Sequence, residues 1–196
     1  MYETDTQDNP KQDQNRQDPN KPDQSRQDQA KQDQAKQLET LRQLVKDIQI
    51  AMLTTTAVDG SLISRPLQTL DFDGENVLWF ATDGTSEKAQ EIKLHPHIGL
   101  GYADRRDNSF VSISGPARLV RDEQKIDALW TPAMSLFFPA GKDDPNLVLI
   151  RVEMERAEYW DGPGTIVGKL MYLAAAAITG NPGVMTQNVV VETNGS

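Results

Sequence analysis

The chain has 196 residues, a formal net charge of −9 and no cysteine. That length suits one domain, and the missing cysteines exclude disulfides, thiolate nucleophiles and cysteine metal sites, so that redox chemistry would need a bound cofactor. The acidic balance argues against nucleic acid and anionic lipid as partners, while the absence of a long apolar run or an N-terminal apolar core leads us to expect a cytoplasmic protein without a membrane span.

Residues 1–37 read as a separate, disordered tail. Lys11-Gln12-Asp13, Arg16-Gln17-Asp18, Arg26-Gln27-Asp28 and Lys31-Gln32-Asp33 recur every five residues, a period that fits neither helix nor strand. The array has no apolar face and is broken by Pro10, Pro19 and Pro22, although Ala30 and Ala35 would allow its last repeats to extend the helix that follows. The folded domain is expected over residues 38–180. Leu38, Leu41, Leu44, Val45 and Ile48 make one helical stripe. Ile50–Thr56 is a β-branched strand, and Asp59-Gly60 turns the chain into a strand over Leu62–Leu70. Asp73-Gly74 is read as a hairpin turn that lays Leu62–Leu70 antiparallel to Val77–Thr82, with Gly74 supplying the positive φ. A helix over Ser86–Leu94 ends before Pro96. Strands Ile98–Ala103 and Ser109–Val120 follow, with a bulge or bend expected at Gly115-Pro116. Asp122 caps a short helix to Trp130, and a loop over Ser135–Pro145 carries the pair Phe137-Phe138. Leu147–Trp160 is predicted as one long strand and Gly164–Gly180 as an alanine-rich helix. Residues 181–196 form a tail with a short edge strand at Asn188–Glu192. The outcome is a mainly β domain with helices, six antiparallel strands in a small Greek-key barrel.

Three short pieces concentrate the chemistry: Ser64-Arg65-Pro66-Leu67 on one strand, Trp79-Phe80-Ala81-Thr82 at the end of another, and Thr85-Ser86-Glu87-Lys88 at a helix start. Arg65, Thr82, Ser86, Lys88 and the free N–H groups of a helix N-terminus are together what a phosphate monoester needs. Arg65 alone also reads as a surface cation on a strand, since Pro66 fixes its backbone as extended without proving a ligand. Trp79 and Phe80 face opposite sides of their strand, so one belongs to the core.

This ordered series, continued by Tyr102, the strand Ser112–Val120 and Glu158-Tyr159-Trp160-Asp161, resembles the pyridoxamine 5′-phosphate oxidase-like proteins, and within them the general stress protein branch. The resemblance spans about Leu38 to Gly180. It implies an FMN-binding split barrel that pairs into a homodimer, with FMN at the interface. By matched position, Arg65, Ser86 and Lys88 would hold the FMN phosphate. Pro66, Leu67, Phe80, Ala81 and Thr82 would line the ring and ribityl chain, and Trp160 would approach the flavin. The function implied is a flavin-dependent oxidoreductase with a stress-related role, exchanging electrons with a small-molecule donor or acceptor; the alternative is a non-catalytic FMN-binding or carrier protein. After Trp160 the chain has one basic residue, Lys169, where the oxidases of the family carry several to hold the vitamin phosphate, which argues against pyridoxamine phosphate oxidation.

Other constellations lead elsewhere. His95 and His97 flank Pro96 without a third ligand at motif spacing, so no metal site is expected. Gly99 and Gly101 lack the third glycine and the strand-to-helix turn of a dinucleotide fingerprint. Glu153 and Glu155 are read as a solvated strand face.

Overall fold

The computed structural model describes residues 24–161 and 187–192. The expected disorder of residues 1–23 and the expected helix over Gly164–Gly180 lie outside the described residues. Helix α1 (Gln24–Ile48) begins within the repeats rather than at Leu38. A five-residue period cannot form a buried stripe, and residues 24–36 are exposed all round. What carries the helix outward is good helix-forming composition on a docked stem. Leu41 and Val45 are fully buried, with Leu38, Leu44 and Ile48 packed around them. Gln49 ends the helix with φ 67°, and its carbonyl accepts from the Thr69 amide at 2.8 Å.

The expected strands are present as β1 (Ile50–Thr56), β2 (Leu62–Gln68), β4 (Val77–Asp83), β5 (His97–Asp104) and β6 (Ser109–Val120), with a two-residue β3 (Asp71–Phe72) between β2 and β4. The last long strand is divided into β7 (Leu147–Glu153) and β8 (Arg156–Asp161), and β9 (Gln187–Glu192) pairs with β8. Helices α2 (Glu87–Leu94) and α3 (Glu123–Leu129) lie where the sequence places them, and the Asp122 side chain accepts from the Lys125 amide at 3.0 Å as the cap of α3. The sheet is antiparallel, in the order β2-β1-β5-β6-β7-β4-β3, with β8 joined to β6. It wraps one core that draws on β1, β2 and β4 to β9, with α1 laid across it.

Three expectations change. First, β2 does not pair with β4. It runs antiparallel to β1, with Arg65 opposite Leu53, while β4 pairs with β7 and with β3. The chain bends at Thr69-Leu70, so the tight turn joins β3, not β2, to β4. Second, the left-handed residue of that turn is Asn76 at φ 62°, not Gly74. Asp73 Oδ1 accepts from the amides of Glu75 and Val77 at 3.0 Å each, and Asn tolerates this conformation better than most residues. Gly60 does carry a positive φ, 84°. Third, β6 runs unbroken through Gly115-Pro116, and the extra residue lies on the opposite chain. Residues 115 and 116 face residues 153–155, between the pairs Ser114–Arg156 and Ala117–Val152. A Cβ on Gly115 would lie 1.9 Å from the Glu153 carbonyl oxygen, so glycine serves close backbone approach here. The same break separates Glu153 from Glu155: Glu153 meets Arg151 and Arg118, and Glu155 Oε2 lies 2.9 Å from His97 Nε2.

Strand β4 is buried on both faces. Leu78 and Phe80 point into the main core, whereas Val77 and Trp79 join Ile126, Met134, Phe138, Leu147 and Leu149 in a second cluster. That second cluster closes the side of the sheet next to the cleft described below.

Candidate functional site

The site is built where β2, the end of β4 and the start of α2 meet. Leu67 and Arg65 lie on one face of β2, two residues apart. Leu67 is buried and Arg65 half-buried at the rim. Ser86 is the N-cap of α2, in extended conformation with φ −63° and ψ 155°. Its hydroxyl donates to the Asp83 carbonyl at 2.6 Å and lies 3.4 Å from Thr82 Oγ1. Asp83 fixes this corner, its Oδ1 accepting from both the amide and the hydroxyl of Thr85 at 2.6 Å, and those bonds hold its carboxyl below the usual value. Glu87 and Glu91, one turn apart on α2, face Arg65 together.

Arg65 is engaged rather than free. Its Nη1 donates to Glu91 Oε2 at 2.7 Å and its Nη2 to Glu91 Oε1 at 3.1 Å, with a further bond from Nη2 to Glu87 Oε2 at 3.3 Å. Glu91 is only 7% exposed, and the Thr55 hydroxyl also donates to it at 2.5 Å. The Arg65 hydrogen bonds hold the Glu91 carboxyl below its ordinary value against the opposing effect of burial, and raise the Arg65 guanidinium in turn. Lys88 donates from Nζ to Thr82 Oγ1 at 3.1 Å. Burial lowers its pKa, and the neighbouring Arg65 charge lowers it further, while Asp83 and Glu91 oppose the shift. An ammonium in that setting gains from an incoming anion.

From Lys88 and Thr82 a cleft of about 530 Å³ runs along Pro66, Leu67 and Ala81 to Ile50, Gln68 and Leu70; its far wall is Thr131, Ala133, Met134, Phe137 and Phe138. Five of the residues named from sequence therefore line one cavity: Pro66, Leu67, Ala81, Thr82 and Lys88. Ser86 and Arg65 stand at its Lys88 end. Two do not reach it. The Phe80 side chain is fully buried in the main core, because the inward face of β4 carries Leu78 and Phe80. Trp160 sits opposite Phe110 on the β6–β8 ladder. Tyr102 is buried and shares a 2.9 Å hydrogen bond with Thr69; burial drives its pKa upward. Trp130 packs beside the second cluster.

Sequence reasoning missed the far wall. Thr131 to Phe138 is a loop built on a 3₁₀ turn, Pro132–Leu136, in which Met134 and Phe138 are buried while Phe137 is 78% exposed. The only signal was the adjacent aromatic pair, which reads equally well as interface. Among the described residues, no group of three His, Cys, Asp or Glu side chains is placed to hold a metal, and no helix is long and apolar enough to cross a membrane.

The donors at one end and the apolar walls along the rest fit a ligand with a phosphate at one end and a flat ring at the other. Three relatives can be compared with this chain. The chain is 27% identical over 160 residues to protein bli-3 of Neurospora crassa, covering 76% of this chain and 77% of that one. A protein of Clostridium acetobutylicum related to general stress protein 26 superposes with a TM-score of 0.58 at 23% identity, over 64% of this chain and 89% of its own, which establishes the split-barrel fold. The general stress FMN/FAD binding protein of Xanthomonas citri is 26% identical with a TM-score of 0.55, over 63% of this chain and 87% of its own. The family model described as pyridoxamine 5′-phosphate oxidase like matches residues 36–183, and the chain belongs to that family.

Proposed function

We propose that this chain binds FMN in the cleft beside β2, works as a flavin-dependent oxidoreductase of the cytoplasm with a stress-related role, and completes its site as a homodimer. The observation that carries the proposal is the cleft itself. One end presents Lys88, Thr82, Ser86 and the N-terminus of α2, with Arg65 beside them; the remainder is walled mainly by apolar side chains. FMN, when bound, supplies the electron-transfer chemistry.

The protein's own part is binding and positioning. Lys88 is a compact charge for one phosphate oxygen, and the outer edge of Arg65 is a planar donor for another. The amides at the start of α2 add donors and a partial positive charge. Pro66, Leu67 and Ala81 form an apolar floor, and Phe137 and Phe138 belong to the opposite wall. A dimer is supported by apolar side chains left exposed along β1 and β2 and on the far wall of the cleft: Ile50, Met52, Leu62, Leu136 and Phe137 are 44–83% exposed, and clustered exposed apolar side chains mark interaction surfaces.

The test begins with colour: the purified protein should be yellow and release flavin on heating. Anaerobic mixing with NADH or NADPH then separates the two functional classes. Bleaching on a turnover timescale supports an oxidoreductase. A bound flavin that neither nucleotide reduces excludes a nicotinamide donor and favours flavin binding or carriage.

A further inference from the structure

This inference rests on reading the Arg65–Lys88 end of the cleft as a phosphate site. The guanidinium of Arg65 has two carboxylate partners of unequal character. The Glu91 side chain is 8% exposed. It is held by two Arg65 bonds at 2.7 and 3.1 Å and by the Thr55 hydroxyl at 2.5 Å. The Glu87 side chain is 87% exposed, and it touches Arg65 through a single bond of 3.3 Å to Nη2. With Asp83 beside Lys88, the two cations of this corner are already matched by three carboxylates. An arriving anion therefore replaces a carboxylate; it does not fill an uncompensated positive site. Displacing Glu91 would leave a buried charge unpaired, which is costly. Displacing Glu87 gives up one exposed, solvent-screened contact.

We propose that Glu87 is the displaceable counter-ion of this site: it holds the outer edge of Arg65 until a dianionic phosphate monoester takes its place. The monoester brings two charges and three terminal oxygens, enough to take both the released edge of Arg65 and the Lys88 ammonium. Glu87 thus sets the affinity of the site by competition, while Glu91 orients the guanidinium throughout.

The experiment is a fluorescence titration of the flavin-free full chain with FMN and riboflavin, for the parent, Glu87→Gln, Glu87→Ala and the charge control Glu75→Gln, which lies in the turn between β3 and β4. The parent should prefer FMN to riboflavin. Both Glu87 variants should bind FMN about two- to fivefold more tightly and riboflavin as the parent does, and the gain should fade at high salt. Glu75→Gln should leave FMN affinity as it was. Unchanged FMN affinity in both Glu87 variants, or an equal gain in Glu75→Gln, overturns the proposal while leaving the phosphate site standing. Equal binding of FMN and riboflavin by the parent overturns the phosphate-site reading, and this inference with it.

Discussion

Arg65 was legible as a cation aimed by the proline after it, but not as the partner of a buried carboxylate 26 positions away. That pairing changes how its mutation should be read. Arg65→Ala should weaken FMN and also strand Glu91, costing roughly 3–5 kcal/mol of stability. Lys88→Ala is the cleaner probe, since Lys88 has one hydrogen bond, to Thr82. It should weaken FMN by about tenfold to a hundredfold, leave riboflavin binding nearly unaltered and shift the melting temperature little; paired titrations of both flavins check this. Glu91 gives a pH signature. Its folded pKa lies below the unfolded value, so the stability it adds is complete above the unfolded value, about 4.3. That stability is lost as pH falls through the folded value. Denaturant midpoints for the parent and Glu91→Gln should therefore converge as pH is lowered from 6 toward about 3; parallel curves would show that Glu91 does not couple folding to protonation.

Among the elements, the most constrained contact is where β6 crosses the junction of β7 and β8. Gly115→Ala places a methyl group against the Glu153 carbonyl, and no flexible side chain is there to yield. It should cost more than about 3 kcal/mol or shift the register, read as a fall in the denaturant midpoint. Helix α1 divides into two parts. Leu41, fully buried, should cost about 2–5 kcal/mol on replacement by alanine. Removing residues 1–33 should instead leave the melting temperature and flavin content nearly constant, because residues 24–33 touch water on every side; only the helical circular dichroism should drop. A fall of several degrees would mean that the repeats pack on the body.

For the whole molecule, the apolar side chains exposed around the cleft predict self-association. Sedimentation equilibrium at micromolar concentration should give a homodimer, and Phe137→Ser with Met52→Ser should weaken it together with flavin retention. A monomer that holds FMN as tightly as the parent would show that one chain completes the site.

By itself the sequence determined the kind and order of the elements and the residue types gathered at one end of the cleft. Those signals are local: β-branched runs, a helical stripe at Leu38 to Ile48, the Asp122 cap, the turn at Gly60, and the ordered series from Ser64 to Lys88. Only the tertiary structure decided what pairs with what. Leu62–Gln68 lies beside β1 and not β4 because the chain bends at Thr69-Leu70. The final strand divides because β6 needs a different partner above and below Gly115. Phe80 rather than Trp79 enters the main core because the two faces of β4 meet two different clusters. The loop Thr131–Phe138 becomes a cleft wall because the second cluster holds Met134 and Phe138 against the sheet. Local propensity fixes the conformation of a segment, whereas its partner is set by which buried surfaces and charges can be satisfied together, and that depends on residues far apart in the chain.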